Sequence, residues 1–268
     1  MDTIQISIEA TETEQEILIS ELDGLGANGF EQTTTHLLAY FTEDNFPSYE
    51  VNLLLQPYSH VLARIQEQNW NAVWEQNFEP VVVDSFCAIR AHFHQPIKDV
   101  THEIIITPKM SFGTGHHATT YMMIGQMKDI DFTGKKVFDF GTGTGILAIL
   151  AEKLGAASIT AIDVDDWSII NTRENAEQNN CHHITVSQTS LLPEETFPII
   201  LANINRNVIL QYLEQLKRMT QPVGLLLFSG LLKSDMDDIV EACTKLELHL
   251  IKHTERANWI SLLFVNRK

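Results

Sequence analysis

The residues able to do chemistry in this 268-residue chain sit at the ends of apolar runs. Val137-Phe138 leads into Asp139, and glycines follow at every second position: Gly141, Gly143 and Gly145. A second run, Ile159 to Ile162, ends in Asp163, 22 residues after Gly141. This is the layout of a nucleotide cradle at the carboxyl end of a parallel strand. Glycines let the backbone approach a ligand closely, and a carboxylate at the end of the next strand suits a two-point grip on a ribose diol. A third run, Leu201-Ala202, ends in Asn203. Its amide can accept a hydrogen bond from an amine and donate one to a cofactor, and a strand end at that place opens onto the same crevice. The plain alternative for Asn203 is a turn residue after a strand. Ahead of the glycines, Phe112-Gly113-Thr114-Gly115-His116-His117-Ala118-Thr119-Thr120 reads as a polar lid, with Thr119 or Thr120 placed to cap the helix that follows.

The spacing of the glycines narrows the ligand. A dinucleotide fingerprint places glycine at its first, third and sixth positions, whereas the sixth position here is Ile146 and the third glycine comes early, at Gly145. No Lys followed by Ser or Thr closes the loop, which excludes a phosphate-binding P-loop. With no pyrophosphate to neutralise, the turn resembles the S-adenosylmethionine loop of class I methyltransferases. A tight strand-to-helix turn with no ligand is the alternative.

The elements that must position these residues alternate. Strands are expected at 136–140, 158–163, 184–187, 197–203, 224–229, 248–254 and 259–266, and helices near 119–129, 145–154, 166–179, 206–219 and 233–244. Such alternation implies an α/β domain, a mostly parallel sheet with helices on both faces. The last two strands are joined by a short link and should pair antiparallel. A seven-stranded, Rossmann-like sheet ending in a reversed hairpin is similar to the class I methyltransferase arrangement. Upstream, the order strand, helix, strand, strand, helix, strand over 1–67 suggests a small α+β, ferredoxin-like sandwich. There Thr13 with Glu16 is the expected capping box of a helix running to Leu25. Trp70, Val73, Trp74 and Phe78 form one apolar helical stripe, read as a connector helix, and Val81–Val83, Phe86–Ala91 and His102–Ile106 read as short strands.

Composition removes other classes. The formal charge is −17. Residues 1–60 hold eleven acids and no Lys or Arg, the first base being Arg64. Such a field repels nucleic acid and draws in basic partners, although a merely solubilising acidic face is the ordinary alternative. No run is apolar and long enough to span a membrane, and the N-terminus lacks the pattern of a secretion signal. Three scattered cysteines, Cys87, Cys181 and Cys243, fit a reducing cytoplasm rather than a disulfide framework. His92 and His94 share a strand face, but no Cys, Asp or Glu cluster completes a zinc site, so no metal is expected.

Taken together, the lid Phe112 to Thr120, the loop Asp139 to Ile149, Leu154-Gly155-Ala156, Ile162-Asp163, Ala202-Asn203-Ile204 and Ser229-Gly230-Leu231-Leu232 resemble the methyltransferases of large-subunit ribosomal protein L-eleven (L11), over roughly residues 70–265. The resemblance implies an acidic substrate-docking domain at 1–67, a connector at 68–107 and an S-adenosylmethionine-binding domain at 108–268. It further implies Thr120, Gly141, Asp163 and Asn203 as cofactor contacts, Gly143 and Gly145 as shapers of the loop, and Asn203 as the catalytic residue. Two departures fall near the substrate entrance: His116 and Ala118 stand where the family usually has Thr and Pro, and Asn205-Arg206 replaces a small apolar pair. The expected reaction is methylation of amino groups, lysine side chains or the N-terminal amine, of L11 by a cytoplasmic monomer. His117 is expected as a structural lid residue, with gating of the site or relay of a proton as the alternative. Methylation of another acceptor, and a non-catalytic binding module, remain the alternatives.

Overall fold

The computed structural model describes residues 3–65, 78–109 and 111–267. They fall into two compact units, Met1–Asn77 and Phe78–Lys268. Of the apolar stripe read as a connector helix, only Phe78 lies among the described residues.

The first unit runs β1 (Thr3–Glu9), α1 (Glu12–Gly24), β2 (Gly29–Gln32), β3 (His36–Thr42), α2 (Ser48–Leu54) and β4 (His60–Ile65). The sheet order is β2-β3-β1-β4 with every pair antiparallel, which is the ferredoxin-like split βαβ arrangement. Alternation along β1 buries Ile6 and Ile8 against Leu18 and Leu22 of α1 and Val51 of α2. The helix start differs from expectation. Thr11, not Thr13, is the cap: its hydroxyl and its N–H both donate to one carboxylate oxygen of Glu14, at 2.6 and 2.8 Å. The cause is tertiary. Gln15 is fully buried and its amide donates to the carbonyls of Ala10 (2.9 Å) and Thr33 (3.0 Å), and this anchor draws the first turn toward β1.

The second unit opens with β5 (Val81–Val83), β6 (Cys87–Ala91) and β7 (His102–Ile106), a three-stranded sheet in that order. There follow α3 (Ala118–Met127), β8 (Lys136–Phe140), α4 (Ile146–Lys153), β9 (Ser158–Asp163), α5 (Asp166–Gln178), β10 (Ile184–Gln188), β11 (Phe197–Asn203), α6 (Arg206–Met219), β12 (Thr220–Leu232), α7 (Met236–Lys245), β13 (Leu248–Arg256) and β14 (Trp259–Asn266). The large sheet is ordered β10-β9-β8-β11-β12-β14-β13. Strands β8 to β12 pair in parallel, while β14 is antiparallel to both neighbours. Neighbouring residues of β11 face opposite ways. Ile199 and Leu201 pack with α3, α4 and the small sheet, while Ile200 and Ala202 pack with α6 and α7. Both faces are therefore covered, as a parallel sheet requires. Strand order reverses between β8 and β11, and the crevice outside their carboxyl ends is where such sheets bind ligands.

Two elements depart from the sequence reading. β12 is longer than 224–229 and includes an irregular start at Thr220–Gly224. Residues Lys233–Asp235 form a tight turn before α7 rather than its first turn.

Candidate active site

The expected residues converge at the switch between β8 and β11. Asp139 is the penultimate residue of β8 and Gly141 follows its last, Asp163 ends β9 and Asn203 ends β11. All three loop glycines have positive φ, 76° at Gly141, 56° at Gly143 and 78° at Gly145. A Cβ at Gly143 would lie 2.3 Å from the backbone oxygen of Phe112, which cannot yield without moving the lid.

The turn between Gly141 and Gly145 is held at nearly every polar group. The N–H groups of Gly141 and Thr142 donate to Ile162 O at 2.9 and 3.0 Å. Gly143 N–H donates to Asp163 at 2.9 Å, and Gly143 O accepts from the Thr172 hydroxyl at 2.9 Å. Thr144 N–H donates to Phe112 O at 3.0 Å, its hydroxyl to Gly113 O at 2.7 Å, and its carbonyl accepts from the Asn175 amide at 2.8 Å. The lid segment is thereby fastened to the glycine turn. None of Thr144, Thr172 or Asn175 stands out in the sequence, because each partner lies about thirty residues away and no local pattern announces it.

Asp163 takes one backbone N–H on each oxygen, from Gly143 at 2.9 Å and from Asp165 at 3.1 Å. A carboxylate offers about four lone-pair directions, so a diol still has room on both oxygens. Exposed apolar residues occur on the segments that follow and adjoin it: Val164, next in the chain, Trp167 in the first turn of α5, and Leu191. The last sits on the turn whose Thr189 N–H donates to Asp163 O.

Asn203 and Thr120 meet directly. The Asn203 amide donates to the Thr120 hydroxyl at 3.1 Å, while its buried oxygen, Oδ1, has no partner. Thr120 is fully buried inside α3 and does not cap it. The cap is His117, whose Nδ1 accepts from Thr119 N–H at 3.4 Å and lies 2.8 Å from the Thr119 hydroxyl. The sequence expectation of a threonine cap is corrected here: the cap lies two to three residues earlier, at His117, which leaves Thr120 inside the helix and turned to Asn203. The His117 ring packs edge-on against Phe112 (5.2 Å between centroids) and Trp259 (4.7 Å). Trp259, at the start of β14, does not stand out in the sequence because only the hairpin's return brings it to the lid.

Asp139 lies beneath the loop. It accepts from the Thr142 hydroxyl at 2.7 Å and its other oxygen is unpartnered. Burial foremost, opposed by the Thr142 bond and assisted by the nearby Asp163 charge, pushes its carboxyl up to about 7.

The departures near the entrance have local partners. Asn205 caps α6, accepting from Val208 N–H at 3.1 Å. Arg206 pairs with Asp238 at 2.5 Å. His116 meets the Glu79 carbonyl at 2.8 Å and the Thr114 hydroxyl at 3.2 Å. Among the described residues no three His, Cys, Asp or Glu side chains come together as metal ligands would. No described helix is long and apolar enough to cross a membrane.

A parallel seven-stranded sheet with a reversed β14, a glycine turn after β8 and an acid after β9 define the class I methyltransferase fold. A solved structure titled ribosomal protein L11 methylase, from Lactobacillus delbrueckii subsp. bulgaricus, superposes with a TM-score of 0.66 at 29% identity, over 71% of this chain and 100% of that one. The chain belongs to the ribosomal protein L11 methyltransferase (PrmA) family, whose model matches residues 2–267. Among its relatives are proteins named ribosomal protein L11 methyltransferase from Porphyromonas gingivalis, 41% identical over 94% of this chain and 91% of the relative, and from Bacteroides fragilis, 35% identical over 95% of each.

Proposed function

We propose that this protein transfers methyl groups from S-adenosylmethionine to amino groups of ribosomal protein L11. The observation that carries the reading is the Asn203–Thr120 pair, with a buried amide oxygen open to a donor at the crevice. The residues present fit the cofactor. Asp163 keeps free lone pairs for the ribose hydroxyls, Val164 and Leu191 offer apolar surface to a base, Gly141, Gly143 and Gly145 admit the backbone's close approach, and Thr120 and Asn203 line the far side. When bound, S-adenosylmethionine supplies an electrophilic methyl on a sulfonium.

The protein's own task is then alignment. A lysine amine, ordinarily protonated below about pH 10.4, must arrive neutral. An enclosed site disfavours its charged form, and Asn203 Oδ1 can accept an N–H while leaving the lone pair aimed at the methyl. The Thr120 hydroxyl holds the amide against rotation. Phe112, His117 and Trp259 offer ring faces and edges to the aliphatic stem and keep water from the approach. Holding two reactants aligned can by itself supply about 7–11 kcal/mol of the barrier.

The acidic stretch 1–60 supports docking of a basic protein and opposes nucleic-acid binding. We read 1–67 as the docking domain, 68–107 as the connector and 108–268 as the catalytic domain of a monomer acting in the cytoplasm, where ribosomal proteins are made. The test is intact-mass spectrometry of purified L11 after incubation with this protein and S-adenosylmethionine. Gains in methyl-sized steps, lost with Asp163→Ala, are expected. An unchanged L11 mass in the presence of a protein that binds the cofactor would reject L11 as substrate.

A further inference from the structure

Three asparagines on α5 and its end, Asn171, Asn175 and Asn179, recur every fourth residue and are all buried. They face β7, the outer strand of the three-stranded sheet. An edge strand presents N–H and C=O groups that must find partners when buried. Asn179 satisfies both groups of Ile105: its oxygen accepts from Ile105 N–H at 3.0 Å and its amide donates to Ile105 O at 2.6 Å. Asn175 accepts from Thr107 N–H at 2.8 Å, and Asn171 donates to Thr107 O at 3.4 Å. The geometry has a simple origin. Four residues of helix rise about 6 Å, and two residues of strand rise about 6.7 Å. Asn175 and Asn179, four apart on the helix, thus meet Thr107 and Ile105, two apart in the extended chain at and just past the end of β7, and Asn171 completes the pairing of Thr107.

Beyond the strand bonds, the Asn179 amide donates only to the Asn175 carbonyl, at 2.8 Å, whereas Asn175 reaches the loop. The Asn175 amide donates to Thr144 O, in the middle of the glycine turn, at 2.8 Å, and to the Asn171 oxygen at 2.6 Å. One side chain therefore ties the Gly143–Gly145 turn to Thr107, the residue that follows β7. We infer that Asn175 is a positioning residue for the cofactor: it pins the Thr144 peptide and so sets the conformation of the loop that cradles S-adenosylmethionine. Without that donor, Thr144 O is a buried acceptor left empty. The peptide between Thr144 and Gly145 would rotate toward another partner, turning the Gly143 and Gly145 backbone away from the ligand. The inference rests on the cofactor reading given above.

Asn179 provides the control, because it makes the same kind of strand bonds and touches no part of the loop. The experiment compares wild type, Asn175→Ala, Asn175→Asp and Asn179→Ala by calorimetric titration with S-adenosylhomocysteine, by thermal unfolding, and by kcat and KM for S-adenosylmethionine. Asn175→Asp keeps an acceptor for Thr107 N–H and loses the donor to Thr144 O, so it separates the two roles even if the alanine variant does not fold. Loss of one such bond corresponds to roughly a ten-fold change in equilibrium. We expect both Asn175 variants to raise the dissociation constant and the cofactor KM about ten-fold or more, with kcat at saturating cofactor changed by less than about three-fold. Asn179→Ala should lower the melting temperature comparably and leave the dissociation constant within about two-fold of wild type. Equal affinity of the Asn175→Asp protein and wild type overturns the positioning role. Absence of binding by wild type overturns instead the cofactor reading on which it rests.

Discussion

The buried oxygen of Asn203 meets no donor in the folded chain, a condition that costs about 1–3 kcal/mol unless a ligand fills it. A side chain so placed is poised for an incoming N–H. Asn203→Ala should therefore lower kcat toward L11 by about two orders of magnitude, the scale of misplacing one reactant against the other. Thr120→Val removes only the hydroxyl that steadies the amide and should cost about ten-fold. Steady-state kinetics at saturating cofactor ranks the two, and a larger loss in the valine variant would contradict the assigned order. Asp139 gives a second prediction. Its folded-state pKa stands near 7, against an ordinary 3.8. Between those values the native state holds a proton the unfolded chain has released, so stability falls as pH rises from about 4 to about 7 and then levels off. Asp139→Asn lacks this slope: its melting temperature should gain on wild type as pH rises through that window. A difference independent of pH would refute the raised pKa. The positions legible in the sequence were those at strand ends, Asp139, Asp163 and Asn203, which chain direction alone aims at one crevice. Thr144, Thr172, Asn175 and Trp259 were not legible, because their roles arise from bonds and packing between distant segments.

The elements were more legible than their ends. Continuous apolar runs mark β8, β9, β11 and β14 with the observed limits, because strands covered on both faces carry apolar residues at nearly every position. Ends moved where tertiary contacts overruled local preference. Gln15 shifted the α1 cap to Thr11, and His117 took the α3 cap from the threonines. β12 is the largest departure. Its first residues bend at Pro222-Val223, with Val223 at φ 61° and 74% exposed. Proline followed by a left-handed residue is the pattern of a type II turn, where glycine or asparagine is ordinary. A β-branched residue there is strained by about 1–2 kcal/mol. Val223→Asn should relieve most of that strain without disturbing the core, since the valine side chain faces solvent, and raise the melting temperature by about 2–4 °C. Differential scanning calorimetry decides it; an unchanged or lower midpoint would mean the turn is relaxed as it stands.

At the scale of the whole molecule the two units differ in charge as well as in fold. The first unit lies within a stretch whose eleven acids precede any base, and its α1 presents Glu12, Glu16 and Glu21 to solvent. Exposed charges act over about 8 Å at physiological salt and chiefly change the rate of encounter with an oppositely charged partner. If the unit docks a basic protein, the triple variant Glu12→Gln, Glu16→Gln, Glu21→Gln should lower kcat/KM for L11 several-fold at low salt. It should also flatten the decline of kcat/KM with added salt, because fewer charges remain to be screened. Affinity for S-adenosylhomocysteine should not move, since the glycine loop, Asp163 and Asn203 all belong to the second unit. Kinetics with L11 across a salt series, paired with cofactor titration, separates the cases. Parallel salt curves for variant and wild type would assign the acids to solubility and place docking on another surface.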